Sequence, residues 1–216
     1  MIHVTINGKA IEIAEGSTIL QAAKSAGIQV PTLCFLEKRE PLGACRVCLV
    51  EVEGARTLVA ACSTPCTEGQ VVHVNSPQAR AARKQVVELL LSEHDGDCQT
   101  CERNEDCELR QLASDMGIRT VTYGGKRTAA HRDESTPGLV RDNSKCIKCR
   151  RCVTVCNQVQ GVGALFPQGR GFSTVIGPAF AVDLAGVTCV QCGQCAAICP
   201  VGAITERSAI EDVWAV

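Results

Sequence analysis

Cys146, Cys149, Cys152 and Cys156 are spaced C-x2-C-x2-C-x3-C, and Cys189, Cys192, Cys195 and Cys199 repeat that spacing with Pro200 next. Three thiolates from so short a loop can cover one face of a cubic iron–sulfur cluster. The fourth cysteine of such a run ligates the other cluster of a two-cluster protein. The spacing therefore predicts two [4Fe–4S] sets: Cys146, Cys149 and Cys152 with Cys199, and Cys189, Cys192 and Cys195 with Cys156. The fourth cysteine of each run is expected at the start of a following helix. Structural zinc sites are built from C-x2-C pairs instead of triplets with a trailing fourth. A multi-zinc structural protein is thus the rival of a different class, and colour separates the two, zinc sites being colourless and iron–sulfur clusters brown.

Two further groups precede these runs. Cys34, Cys45, Cys48 and Cys62 give C-x10-C-x2-C-x13-C, which suits a [2Fe–2S] centre fed from one loop and one later strand. Gly43 there allows main-chain N–H groups to approach the sulfur atoms. Next comes His94-x3-Cys98-x2-Cys101-x5-Cys107, where three thiolates are one ligand short of a cubane and His94 supplies the fourth. Imidazole in place of thiolate removes a negative charge, which raises the reduction potential. His3, His73 and His131 read as ordinary surface residues. Cys66 is left over from all four groups, as a spare thiol or an alternative ligand to the first.

Sixteen cysteines in 216 residues, without a basic start and apolar run at the N-terminus, point to metal ligation in a reducing, cytoplasmic setting. The apolar stretch 175–190 is cut by Gly177, Pro178 and Asp183, so no membrane span is expected. Lys and Arg number 22 against 23 Asp and Glu, which argues against a nucleic-acid binder. No G-x-G-x-x-G fingerprint, phosphate loop or acid–base pair occurs, so neither a nucleotide site nor a catalytic site is expected in this chain. Residues 93–108 carry a net six negative charges and residues 141–151 a net four positive. These read either as two solvated faces or as a basic docking face, Arg141 to Arg151, for an acidic redox partner.

The elements that must position these residues are also readable. Residues 2–6 and 9–13 alternate around Asn7-Gly8, a turn dipeptide for a hairpin. A helix capped by Ser17 or Thr18 ends at Gly27, and strands are expected at 49–53, 58–61 and 71–75. Ser76-Pro77 opens a helix whose apolar face is Ala79, Ala82, Val86, Leu89 and Leu90. The division that follows is α+β and modular: a β-grasp [2Fe–2S] domain over 1–77, a small [4Fe–4S] domain with one His and three Cys ligands over 78–123, a polar connector over 124–140, and a bacterial ferredoxin-like two-[4Fe–4S] domain over 141–216. With one Trp, one Tyr and four Phe in the chain, clusters are expected to substitute for a large aromatic core.

The text PTLCFLEKREPLGACRVCLVEVEG with AACSTP, then SEHDGDCQTCERNEDCELRQLA, then DNSKCIKCRRCVTVCNQVQ with VTCVQCGQCAAICPVGAI resembles the N-terminal electron-relay portion of [FeFe] hydrogenases of the NAD(P)-linked, electron-bifurcating type. Its first two thirds is similar to the large iron–sulfur subunit of respiratory complex I. The resemblance implies one [2Fe–2S] and three [4Fe–4S] clusters, one of them His-ligated. It also implies a hetero-oligomeric complex with a flavin- and NAD(P)-binding partner and ferredoxin. Because no cysteine follows Cys199, the hydrogen-forming cluster is expected to be absent. The readings that remain are the relay subunit of a hydrogenase-like transhydrogenase, an excised relay portion of a hydrogenase, or a relay subunit of a formate dehydrogenase complex.

Overall fold

The structure, a computed structural model, describes all of residues 1–216, and the chain forms two compact units. The first comprises Met1–Leu89 with Leu112–Thr120, and the second Leu90–Gln111 with Val121–Val216.

In the first unit, β1 (Ile2–Ile6) and β2 (Lys9–Ile13) form the expected hairpin, with Asn7 and Gly8 both at positive φ (48° and 80°) as that turn requires. Helix α1 (Ile19–Ser25) starts at a capping box in which Thr18 accepts from the Gln21 N–H and Gln21 reaches back to the Thr18 N–H. Strands β3 (Leu49–Val52), β4 (Val59–Ala60) and β5 (Gln70–His73) complete a five-stranded sheet of order β2-β1-β5-β3-β4, in which β1 and β5 run parallel. Ile2, Val4, Ile6, Ile19, Ala22, Val50, Val72 and Val74 build its core with Cys48, Cys62 and Cys66 among them, and no aromatic ring is fully buried there.

Helix α2 (Pro77–Glu93) begins where Ser76 Oγ accepts from the Ala79 N–H. Its fully buried residues are Ala79, Arg83 and Val87, so of the expected apolar face only Ala79 is fully buried, and Leu89 is half exposed. The reason is Arg83, whose guanidinium donates to the carbonyls of Leu49 and Val74 and so draws its own side of the helix inward. Helix α3 (Glu108–Asp115) follows.

In the second unit, β6 (Arg132–Asp133) and β7 (Leu139–Asp142) pair with the late strand β10 (Ile204–Glu206) in the order β10-β7-β6, so the expected connector carries a strand. Helix α4 (Arg151–Thr154) runs into a π-helical turn, Val155–Val159. Strands β8 (Phe166–Gln168) and β9 (Val175–Gly177) form a small ribbon, and the short helices α5 (Gln194–Ala197) and α6 (Ile210–Trp214) complete the chain. No helix is long and apolar enough to cross a membrane.

The basic segment does not form a face. Arg141 and Arg151 are buried, Lys148 pairs with Glu93 at 2.6 Å, and Arg151 grips Glu108 at 2.5 and 2.9 Å. Of its basic residues only Arg150 is exposed. Most of its charge is answered inside the same unit, which removes both the solvated and the docking reading of Arg141 to Arg151.

Candidate functional site

The four early cysteines converge. Cys34, Cys45, Cys48 and Cys62 are all buried, and they lie close enough to shift one another's pKa. Cys34 is driven far below the ordinary thiol range by the neighbouring Cys45 and Cys62 thiols, against the upward push of burial and with the help of the main-chain N–H groups of Cys45 and Ala44. Cys45 and Cys62 are pushed up correspondingly, in a crowded, desolvated site. Gly43, at φ 58°, turns the chain just before those two N–H groups. Cys62 lies in the turn that follows β4, not on the strand itself. Cys66 lies in the hydrophobic core with its N–H donating to Ser17 O, and burial alone raises its pKa.

In the second unit, one cavity is lined by Cys146, Cys149, Cys152 and Cys199, and another by Cys156, Cys189, Cys192 and Cys195. Each takes three cysteines from one run and the fourth from the other. The backbone repeats between the runs: Lys148 and Arg150 flank Cys149 at φ 57° and 64°, while Gln191 and Gly193 flank Cys192 at 50° and 74°. Consecutive turns of this hand direct main-chain N–H groups into a concavity, a setting for anions. The N–H of Lys148 donates to Cys146 Sγ at 3.4 Å and that of Ala164 to Cys156 Sγ at 3.2 Å. Because α4 starts directly after the middle cysteine, Cys156 falls in the π turn at the far end of that helix, and Cys199 likewise follows α5. The expected position at the start of a following helix is thus corrected. Burial pushes the Cys146 thiol up to about 11 and Cys149 and Cys195 to about 12, each raised further by neighbouring cysteines. Cavities that disfavour free thiolates this strongly suit a cationic metal core, which deprotonates its thiols on binding.

Cys98, Cys101 and Cys107 lie close enough for the first two to raise the third, although burial is the larger cause. His94 is buried, and its Nδ1 is 2.9 Å from Lys145 O. A carbonyl only accepts, so Nδ1 carries the hydrogen and Nε2 keeps its lone pair, the arrangement a metal-binding imidazole needs. Burial lowers the His94 pKa, with the charges of Asp95, Lys145 and Asp142 acting on it as smaller causes. Sequence reasoning missed Gly202, where a Cβ would stand 2.7 Å from Cys101 Sγ. His3, His73 and His131 pair at the surface with Glu68, Glu53 and Asp183. Nowhere are three or more His, Cys, Asp or Glu groups arranged to hold a single metal ion.

Comparison with known proteins matches three successive family descriptions: a 2Fe-2S iron-sulfur cluster binding domain over residues 1–77, an NADH-ubiquinone oxidoreductase-G iron-sulfur binding region over 83–122, and a 4Fe-4S dicluster domain over 145–203. The chain is 46% identical to the NADP-reducing hydrogenase subunit HndD of Solidesulfovibrio fructosivorans across its whole length, covering 37% of that protein. It is 36% identical to the alpha subunit of the NADPH-Fe(3+) oxidoreductase of Geobacter sulfurreducens over 96% of its length, covering 24% of that relative. It therefore spans little more than a third, or less, of the curated relatives it matches. Among solved structures, a chain of an NAD+-reducing [NiFe]-hydrogenase in the H2-reduced state superposes with a TM-score of 0.88 at 31% identity, covering 96% of this chain and 88% of that one.

Proposed function

Since the chain belongs to the family of iron–sulfur subunits that includes HndD and the G-type subunits of NADH-quinone oxidoreductase, we propose that it is an electron relay holding one [2Fe–2S] and three [4Fe–4S] clusters. The observation that carries this reading is the crossed lining of the two cavities in the second unit. The ligand sets are Cys34, Cys45, Cys48 and Cys62 for [2Fe–2S]; His94, Cys98, Cys101 and Cys107; Cys146, Cys149, Cys152 and Cys199; and Cys156, Cys189, Cys192 and Cys195.

When bound, the clusters supply one-electron redox chemistry. The chain's own contribution is to hold thiolates in dry cavities and to direct N–H groups at their sulfur atoms, which favours the more negative, reduced state. His94, fixed by Lys145 O, presents one neutral ligand among anionic ones. The relatives' names describe NAD(P)-linked oxidoreduction, so the proposed role is to carry electrons between a flavin- and NAD(P)-binding partner and ferredoxin or another redox subunit of a hetero-oligomeric, cytoplasmic complex. An electron-bifurcating transhydrogenase or hydrogenase complex fits this role, with the substrate chemistry in partner subunits.

Anaerobic reconstitution followed by stopped-flow bleaching tests the proposal. The chain should take up about 14 irons with as many sulfides, bleach with dithionite, and bleach with NADH or NADPH only when a flavoprotein partner is added. Zinc with little iron, or bleaching by NADH of the flavin-free chain alone, would overturn it.

A further inference from the structure

Arg83, Arg141 and Arg151 are all buried, and each adjoins a proposed ligand set. Two of the three are answered by carboxylates. Arg141 lies 3.7 Å from Asp133, and Arg151 holds both oxygens of Glu108.

Arg83 is built differently. Only 4% exposed, it donates through Nε to Leu49 O at 2.7 Å, through Nη2 to Val74 O at 2.7 Å, and through Nη1 to Asn75 Oδ1 at 3.4 Å. All three acceptors are neutral oxygens, which satisfy the N–H groups without cancelling the charge. Guanidinium does not deprotonate in proteins, so a full positive charge is held in the interior without a carboxylate. Burial opposes that charge, and the one group that supports it is Cys48, the residue just before Leu49. The same helix position therefore places an uncompensated cation beside the four-cysteine site.

We infer that Arg83 is the counter-charge of the [2Fe–2S] centre: fixed by Leu49, Val74 and Asn75, it stabilises the reduced cluster on Cys34, Cys45, Cys48 and Cys62 and raises its reduction potential. The inference rests on the ligand assignment proposed above for that set. Reduction adds one electron, and hence one negative charge, to a core already bearing four thiolates. A nearby buried cation lowers the energy of that added charge and leaves the three other clusters as internal references.

A redox titration of the reconstituted full chain, read by the EPR signal of the reduced [2Fe–2S] centre, decides the matter. In Arg83→Gln, which keeps hydrogen-bonding capacity but loses the charge, the reduction equilibrium should fall about tenfold, which for one electron is about 59 mV. Arg83→Lys should retain most of the wild-type potential although it cannot reproduce the three-way hydrogen bonding. Should Arg83→Gln fail to fold, Asn75→Asp gives the answer, because it leaves Arg83 in place and sets a carboxylate against it; its potential should fall in the same direction by a smaller amount. A merely structural clamp would weaken thermal stability in Arg83→Lys and Arg83→Gln alike and leave the potential where it was. Unchanged potentials in Arg83→Gln, or in Asn75→Asp where that is the variant that folds, overturn the inference while the cluster assignment stands. Absence of a [2Fe–2S] signal from the unmodified chain overturns both together.

Discussion

The crossed ligand sets make a quantitative demand that pairs of substitutions can read. Cys149 and Cys199 line one cavity, whereas Cys149 and Cys156 line different ones although they lie only seven positions apart in sequence. Replacing Cys149 with Ala removes a ligand from the first cavity and should take the chain from about 14 irons to about 10. Adding Cys199→Ala strikes the same cluster again, so the count should stay near 10. Adding Cys156→Ala instead strikes the second cluster, and the count should fall to about 6. The two double variants thus differ by about four irons, well beyond the scatter of iron and acid-labile sulfide assays on anaerobically reconstituted protein. Non-additivity within one site and additivity between sites is the signature sought. If each run held its own cluster, the pattern would invert: Cys149→Ala with Cys156→Ala would stay near 10 and Cys149→Ala with Cys199→Ala would drop to 6. That inversion would refute the ligand sets that the cavity linings support.

Replacing His94 with Cys should keep its cluster but lower the potential, because a thiolate adds negative charge where a neutral ring now sits; an EPR titration that finds the two potentials equal would remove His94 from the ligand set. Gly202→Ala should disturb the same centre, since the new Cβ would stand 2.7 Å from Cys101 Sγ, and a lowered iron count or altered EPR line shape would register it. Asp133 is expected to govern acid sensitivity in the second unit. Burial pushes its pKa up, but hydrogen bonds from Ser135 and Leu184 and the charge of Arg141 outweigh that and leave it lowered. A lowered carboxylate contributes stability above its unfolded pKa and loses it as pH falls through the folded value. The gap in Tm between the wild type and Asp133→Asn should therefore be full at neutral pH and close in the acid range, and a gap that widens on acidification would contradict the sign.

What could be read in the sequence was local. Asn7-Gly8 announces its hairpin because few residues accept two positive φ angles in a row. The cysteine runs announce which side chains come together, since each of the two cavities in the second unit takes three cysteines from one run and the fourth from the other. Arg83 could not be read in this way: helical periodicity assigns an arginine to solvent, and only the carbonyls of Leu49 and Val74, outside its own helix, turn it inward. The basic run at 141–151 misled for the same reason, since Glu93 and Glu108 reach it through the fold rather than along the chain. Gly202 carries no signal in a single sequence, because its role is the space it leaves for Cys101.

The exchange of Cys156 and Cys199 between the two cavities also bears on how the protein is made. A ribosome delivers Cys146, Cys149 and Cys152 long before Cys199, so on the proposed assignment the first set stays one ligand short until synthesis has reached the last cysteine of the second run. The second set, by contrast, waits from early on with Cys156 already in hand. Neither centre can be finished run by run as the chain emerges. On the proposed ligand sets, iron and sulfide delivery to this unit would wait until both runs have been made, and the order of maturation would follow from the folding of the repeat as a whole rather than from the order of translation.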